Sequence, residues 1–154
     1  MKEESERLMF LGTVEHTMDG KGRVSIPARF RDAIENRFGD KIVMTKGEGC
    51  VDVYPVSIWQ ELTQKIMGLP QLRRDIKAFQ RFYIGGAQEC SIDKQGRVLV
   101  PPDLRLHAGF DKDVVFIGIS TRFELWSKKN WMEAEKRILE TIDGHRDALA
   151  ELGI

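Results

Sequence analysis

The chain has 154 residues, with 24 Lys and Arg against 24 Asp and Glu, so its formal net charge is zero. That length fits one ordinary domain or two small repeats, and it buries a core without a disulfide or metal staple. The balance disfavours a globally basic nucleic-acid binder, a polyanion and a cationic membrane binder, and 42% hydrophobic residues exclude a disordered tail.

In chain order, Met1 to Arg7 is polar and carries no apolar signal segment. Val14 to Met18 alternates and predicts a strand with Val14, His16 and Met18 on one face. Asp19 to Gly22 is turn chemistry, and Arg23 to Ile26 is the returning strand with Val24 and Ile26 inward. Pro27 suits the start of a short helix carrying Arg29, Phe30 and Ile34, which Gly39-Asp40 ends. Ile42 to Met44 and Cys50 to Tyr54 predict a hairpin around Lys46-Gly47-Glu48-Gly49. Ser57 to Gln60 has the form of a capping box, leading a helix with Trp59, Leu62 and Ile66 inward. Gly68-Leu69-Pro70 breaks the chain, and Leu72, Ile76, Phe79 and Tyr83 line a second helix whose other sides carry Arg73, Arg74, Lys77 and Arg81. A further hairpin runs from Val114 to Ile119 and from Arg122 to Trp126. Ser127 caps a last helix with Trp131, Ala134, Ile138 and Ile142 inward. The longest uncharged run, Val114 to Thr121, falls far short of the ~20 residues that span a bilayer. Cys50 and Cys90 form no Cys-x-x-Cys and predict two separate buried thiols, so a cytoplasmic protein is expected.

The chain repeats itself. Asp19-Gly20-Lys21-Gly22-Arg23-Val24-Ser25-Ile26-Pro27 recurs as Asp93-Lys94-Gln95-Gly96-Arg97-Val98-Leu99-Val100-Pro101, offset by 74 residues, and Arg31 then matches Arg105. Further on the offset is 72, so Val53-Tyr54 matches Leu125-Trp126 and Trp59 matches Trp131. Two copies of one supersecondary unit, packed with pseudo-two-fold symmetry, follow. The expected organisation is an extension at 1–8, a first repeat at 13–60, connecting helices at 61–86, a second repeat at 87–130 and a C-terminal helix at 131–154.

The Asp-x-x-Gly-Arg turn is the candidate site. One reading is a β-turn fixed by an Asp–Arg ion pair. The other is an arginine presented at a hairpin tip, where its planar fork suits phosphate oxygens or the O6/N7 edge of guanine. Repetition of the arginine favours the second. So does charge: Lys21, Arg23, Arg29 and Arg31 fall in a stretch, 21–31, that contains no acid. Asp19, Gly22, Asp93 and Gly96 orient the turns; Lys21, Arg23, Arg29, Arg31, Lys94 and Arg97 are the candidate DNA contacts. In the second turn Lys94-Gln95 replaces Gly20-Lys21, so the two turns are not equivalent.

Enzyme chemistry finds little support. Glu15/Asp19 and Glu89/Asp93 are paired carboxylates without a nucleophile. His16, His107 and His145 lack zinc-ligand spacing. Gly20-Lys21-Gly22 lacks the rest of a phosphate-binding loop, and Gly85-Gly86 precedes a strand rather than a helix. Neither catalysis nor a metal or other cofactor is expected.

Met9-Phe10-Leu11-Gly12, the two turn blocks, Val53-Tyr54-Pro55, Leu104 to Gly109 and Arg122 to Trp126 together resemble the MraZ family of the SpoVT/AbrB-like group, from Met9 to about Ile142. The resemblance implies a mainly β fold with flanking helices, its two repeats forming a swapped-hairpin AbrB-like double-ψ β-barrel. It implies a transcription regulator, usually a repressor, that binds short direct repeats in double-stranded DNA upstream of its own division and cell-wall gene cluster. It also implies a ring-shaped, nucleoid-associated homo-oligomer with no membrane partner. The family's DNA-contacting turn carries over onto Asp19, Lys21 and Arg23, and by the same logic onto Asp93 and Arg97. Family members begin near Met9, so residues 1–8 are extra. The rival expectation is a ring-forming assembly module that binds no DNA. Zero net charge would hold non-specific DNA binding low, which suits a site-seeking regulator.

Overall fold

The computed structural model describes residues 9–154, and the extension at 1–8 lies outside the described residues. Among the described residues eight strands and six helices follow in order: β1 (Phe10–Thr17), β2 (Arg23–Ser25), α1 (Ala28–Phe38), β3 (Lys41–Lys46), β4 (Val51–Pro55), α2 (Val56–Met67), α3 (Arg74–Tyr83), β5 (Gln88–Ser91), β6 (Arg97–Leu99), α4 (Pro102–Ala108), β7 (Asp113–Ser120), β8 (Arg122–Ser127), α5 (Lys128–Gly144) and α6 (Arg146–Glu151). The fold is mainly antiparallel sheet with flanking helices, built from two repeats.

Strand pairing crosses between the repeats. A six-stranded sheet has the order β1-β7-β8-β4-β3-β5, and a separate ribbon pairs β2 with β6. The strand that returns from the first turn therefore does not form a hairpin with β1. Over its full length β1 pairs with β7, and the isolated bridge from Met18, just past its end, to Val24 leads to the β2 side. This exchange is what the swapped-hairpin expectation describes. It places the apolar faces of both repeats in one core, where Phe10, Phe30, Phe116 and Phe123 meet with centroids 4.9 to 6.4 Å apart. Met18, Val24, Ile26, Ile34, Val98 and Leu104 are buried in the same cluster.

The register gives the symmetry a location. Val24 lies directly opposite Val98 in the ribbon, and Asp52 directly opposite Glu124 in the large sheet. Each pair consists of corresponding residues of the two repeats, so the pseudo-two-fold axis passes through both. Tyr54 on Trp59 (5.5 Å) and Trp126 on Trp131 (5.6 Å) repeat one aromatic contact on either side of it.

Several expected details differ. The Ser57 to Gln60 capping box does not form: α2 starts at Val56, with Pro55 at the cap position and no side-chain cap. Pro55 ends β4 with φ −57°, a value its ring imposes and the helix entry accepts, so Ser57 falls inside the first turn. Leu72 is 87% exposed and precedes α3 rather than joining its inner face. Its neighbour Gln71 turns inward instead, donating to the carbonyls of Ile66, Met67 and Leu69 at the end of α2. Ser127 does cap α5, accepting from the Asn130 amide at 3.1 Å. Trp131 and Ala134 are half-buried, but Ile138 and Ile142 are exposed, because the distal part of α5 runs beyond the sheet.

Candidate nucleic-acid interface

Each turn is built the same way. Asp19 Oδ1 accepts from the amides of Lys21 and Arg23, both at 2.9 Å, and its Oδ2 accepts from Arg23 Nε at 2.7 Å. Asp93 repeats this with Gln95 (2.8 Å), Arg97 (2.9 Å) and Arg97 Nε (3.2 Å). Gly22 and Gly96 close the turns at φ +89° and +78°, where a side chain is strained. The Arg23 amide, its guanidinium and the Lys21 amide hold the Asp19 carboxyl down at about 2, and Asp93 is lowered by the Arg97 amide first. Both carboxylates are thus charged at neutral pH. Among the described residues the side-chain hydrogen bonds of both arginines are made through Nε.

The ribbon brings the two turns together. Val24 and Val98 point into the core, so Arg23, Ser25, Arg97 and Leu99 share the outer face. Arg23 and Arg97 are diagonal neighbours there, about 7 Å apart. Lys21 and Lys94 are exposed beside them. The ion pair of the first reading is present in both turns: each aspartate grips the Nε side of its guanidinium, and the Arg23 and Arg97 side chains stay 36% and 33% exposed.

Sequence proximity misleads for the other two arginines. Arg29 stands against Gly12, where an added Cβ would come within 2.8 Å of its Nη2, and lies over the Phe30 ring. Gly12 is near the start of β1, roughly 20 Å of strand from the turn. Arg31 is half-buried against Gly96, in the turn of the other repeat. The acid-free stretch 21–31 therefore spreads over three places. The basic helix residues Arg73, Arg74 and Arg81 are exposed, and Arg73 pairs with Asp75. Glu15 meets Lys128 at 3.4 Å, and His16 Nδ1 bonds the Ser25 carbonyl at 2.6 Å; both tie β1 to its surroundings.

A polar cluster that the sequence reading missed lies on the axis in the large sheet. Cys50, Asp52 and Glu124 place their donor atoms within 4.8 Å of one another, a set that could hold a metal. Each is engaged: Cys50 donates to Asp52 at 3.5 Å, Tyr83 donates to Asp52, and Trp126 Nε1 donates to Glu124 at 3.0 Å. Burial, with Asp52 beside it, pushes the Cys50 thiol well above its ordinary range and keeps it a neutral donor. Desolvation, with the Asp52 carboxylate opposite it, raises the Glu124 carboxyl above its ordinary value. The available signal was the correspondence of Asp52 with Glu124 under the 72-residue offset. Cys90 is half-buried, and burial raises its thiol to about 11, so both cysteines are free and protonated at neutral pH. Among the described residues no helix is long and apolar enough to cross a membrane.

Fold and turns define a two-repeat, strand-exchanged β protein that presents paired arginines on an outward ribbon. The family model described as MraZ protein matches residues 9–82 and again 83–149. Curated relatives named Transcriptional regulator MraZ include one from Caldanaerobacter subterraneus subsp. tengcongensis, 50% identical over 83% of this chain and 87% of its own length. Those from Thermoanaerobacter sp. and Moorella thermoacetica are 48% and 49% identical, over 92% and 93% of this chain and 99% and 95% of theirs. Among solved structures, the solution structure of PHS018 from Pyrococcus horikoshii covers 77% of this chain and 91% of its own, at 19% identity and a TM-score of 0.34. The chain belongs to the MraZ family.

Proposed function

We propose that the protein is a sequence-specific DNA-binding regulator of transcription without catalytic activity, working in the cytoplasm on the nucleoid. It represses its own division and cell-wall gene cluster by binding short direct repeats in the promoter as a ring-shaped homo-oligomer. The observation that carries this reading is the outer face of the β2–β6 ribbon, where Arg23 and Arg97 stand as diagonal neighbours whose Nη ends have no hydrogen-bond partner among the described residues. A two-stranded ribbon is a shape that enters the major groove, and a guanidinium end reads guanine or grips phosphate. Lys21 and Lys94 add phosphate neutralisation at the rim. The relatives named as transcriptional regulators point the same way.

The test is a gel shift on DNA from upstream of the gene, comparing the wild type with Arg23→Ala. Loss of a bidentate base contact corresponds to about 1–3 kcal/mol, roughly five- to 150-fold in affinity. Binding should also fall steeply from low to high salt, through counterion release. Equal binding by wild type and variant would remove Arg23 from the site; salt-independent binding would overturn the reading. The second reading, an assembly module that binds no DNA, draws on the exposed Ile138, Leu139 and Ile142 of α5, which serve assembly under either reading, and no shift by either protein would select it.

A further inference from the structure

The two ribbon turns are not independent. The ribbon ladder continues past β2 and β6: the Ile26 amide donates to the Gly96 carbonyl at 2.9 Å, and the Val100 amide to the Gly22 carbonyl at 3.0 Å. Pro27 and Pro101 follow at once and start α1 and α4, so each helix begins beside the turn of the opposite repeat. One helical turn in, at matching positions, stand Arg31 and Arg105, whose amides bond the Pro27 and Pro101 carbonyls.

Their side chains reach the turns. A Cβ on Gly22 would come within 2.6 Å of Arg105 Cζ and Nη1 and 2.7 Å of its Nε. A Cβ on Gly96 would overlap Arg31 Nη1 and come within 2.7 Å of its Cζ. Each guanidinium thus fills the space that the absence of a side chain leaves on the opposite turn. The Arg105 Nε is buried and has no hydrogen-bond partner among the described residues, so it is not held by an ion pair at that atom. Packing of the planar group against the glycine holds it there. Arg105 also walls a cavity of about 470 Å³ together with Met18, Asp19 and Gly20, directly beneath the first turn.

We propose that Arg31 and Arg105 are positioning residues that brace the turn of the opposite repeat, Arg105 setting Lys21 and Arg23, and Arg31 setting Lys94 and Arg97. The glycines then have two jobs: they supply positive φ, and they admit the brace. The two arginine-presenting turns are set as a coupled pair, and their spacing on the ribbon follows from packing between repeats. The consequence for DNA rests on the function proposed above; the brace itself does not.

Amide hydrogen exchange tests the brace without DNA. In Arg105→Ala the amides of Lys21 and Arg23 should exchange about tenfold faster, while those of Gln95 and Arg97 hold near wild-type rates. Arg31→Ala should give the opposite pattern. Both turns loosening equally, each loosening its own repeat's turn, or neither loosening would overturn the proposal. Arg105→Lys separates a planar brace from a simple charge: the brace predicts that lysine restores neither exchange protection nor affinity, and full rescue by lysine would overturn it. DNA binding supplies the crossed readout. Arg105→Ala should weaken binding strongly in an Arg97→Ala background, where only the first turn reads, and little in an Arg23→Ala background. If Arg23→Ala and Arg97→Ala leave DNA binding unchanged, the DNA reading fails while the exchange pattern still decides the brace.

Discussion

At the scale of single residues, the turn aspartates carry a conflict that the geometry resolves. A carboxylate on a surface that faces phosphate repels it, yet Asp19 makes three hydrogen bonds that define where Arg23 points. If orientation outweighs repulsion, Asp19→Asn should lower DNA affinity although it removes a negative charge; a rise would mean that repulsion dominates. The pH dependence has a definite sign. The folded carboxyl is held at about 2, below its ordinary 3.8, so its contribution is fully present above the ordinary value and is lost as pH falls through about 2. Exchange protection of the Lys21 and Arg23 amides should stay constant from neutral pH down to the ordinary carboxylate range and then drop. Asp19→Asn should lack that acid transition. Both are readable by NMR.

At the scale of elements, local chemistry was legible where one segment decides its own geometry. Asp-x-x-Gly-Arg spells a turn whether or not anything pairs with it. Ser127 caps α5 because its hydroxyl reaches an amide three residues on. Ser127→Ala should therefore destabilise by about 1 kcal/mol, seen as a fall of about 2–4 °C in thermal melting. What alternation could not reveal is which strand β2 meets, because Val24 and Ile26 point inward equally well against β1 or β6. The Ser57 box failed for a related reason: its spacing was right, but Pro55 had already begun the helix. The site divides in the same way. Arg23 and Asp19 lie within one turn and were legible together. Arg29 and Arg31 share a stretch of sequence with Arg23, yet α1 carries the first to Gly12 and the second to Gly96. Arg105, seventy-four residues after Arg31, was visible only as a repeat match, because its contact with Gly22 depends on the strand exchange.

At the scale of the whole molecule, the proposed function sets zero net charge and one pair of ribbon arginines against DNA, so one copy should bind weakly and several should be needed. The C-terminal helix offers the means. Trp131 and Ala134 of its apolar stripe are half-buried, whereas Ile138 and Ile142, on the same stripe one and two turns later, are 37% and 42% exposed. A stripe that continues past its own sheet suits burial against a second copy. The double variant Ile138→Glu, Ile142→Glu should leave the fold nearly as stable as before, because neither side chain belongs to the core cluster. In solution its mass by light scattering should fall to that of the 17.7 kDa monomer. On DNA, affinity for a single repeat should change little, while affinity for an array of repeats should drop by about a hundredfold or more, because linked sites gain through effective concentration. An unchanged mass would place the subunit contact elsewhere. A monomer that still bound the array as tightly as the wild type would show that assembly contributes nothing to recognition, against the proposed ring.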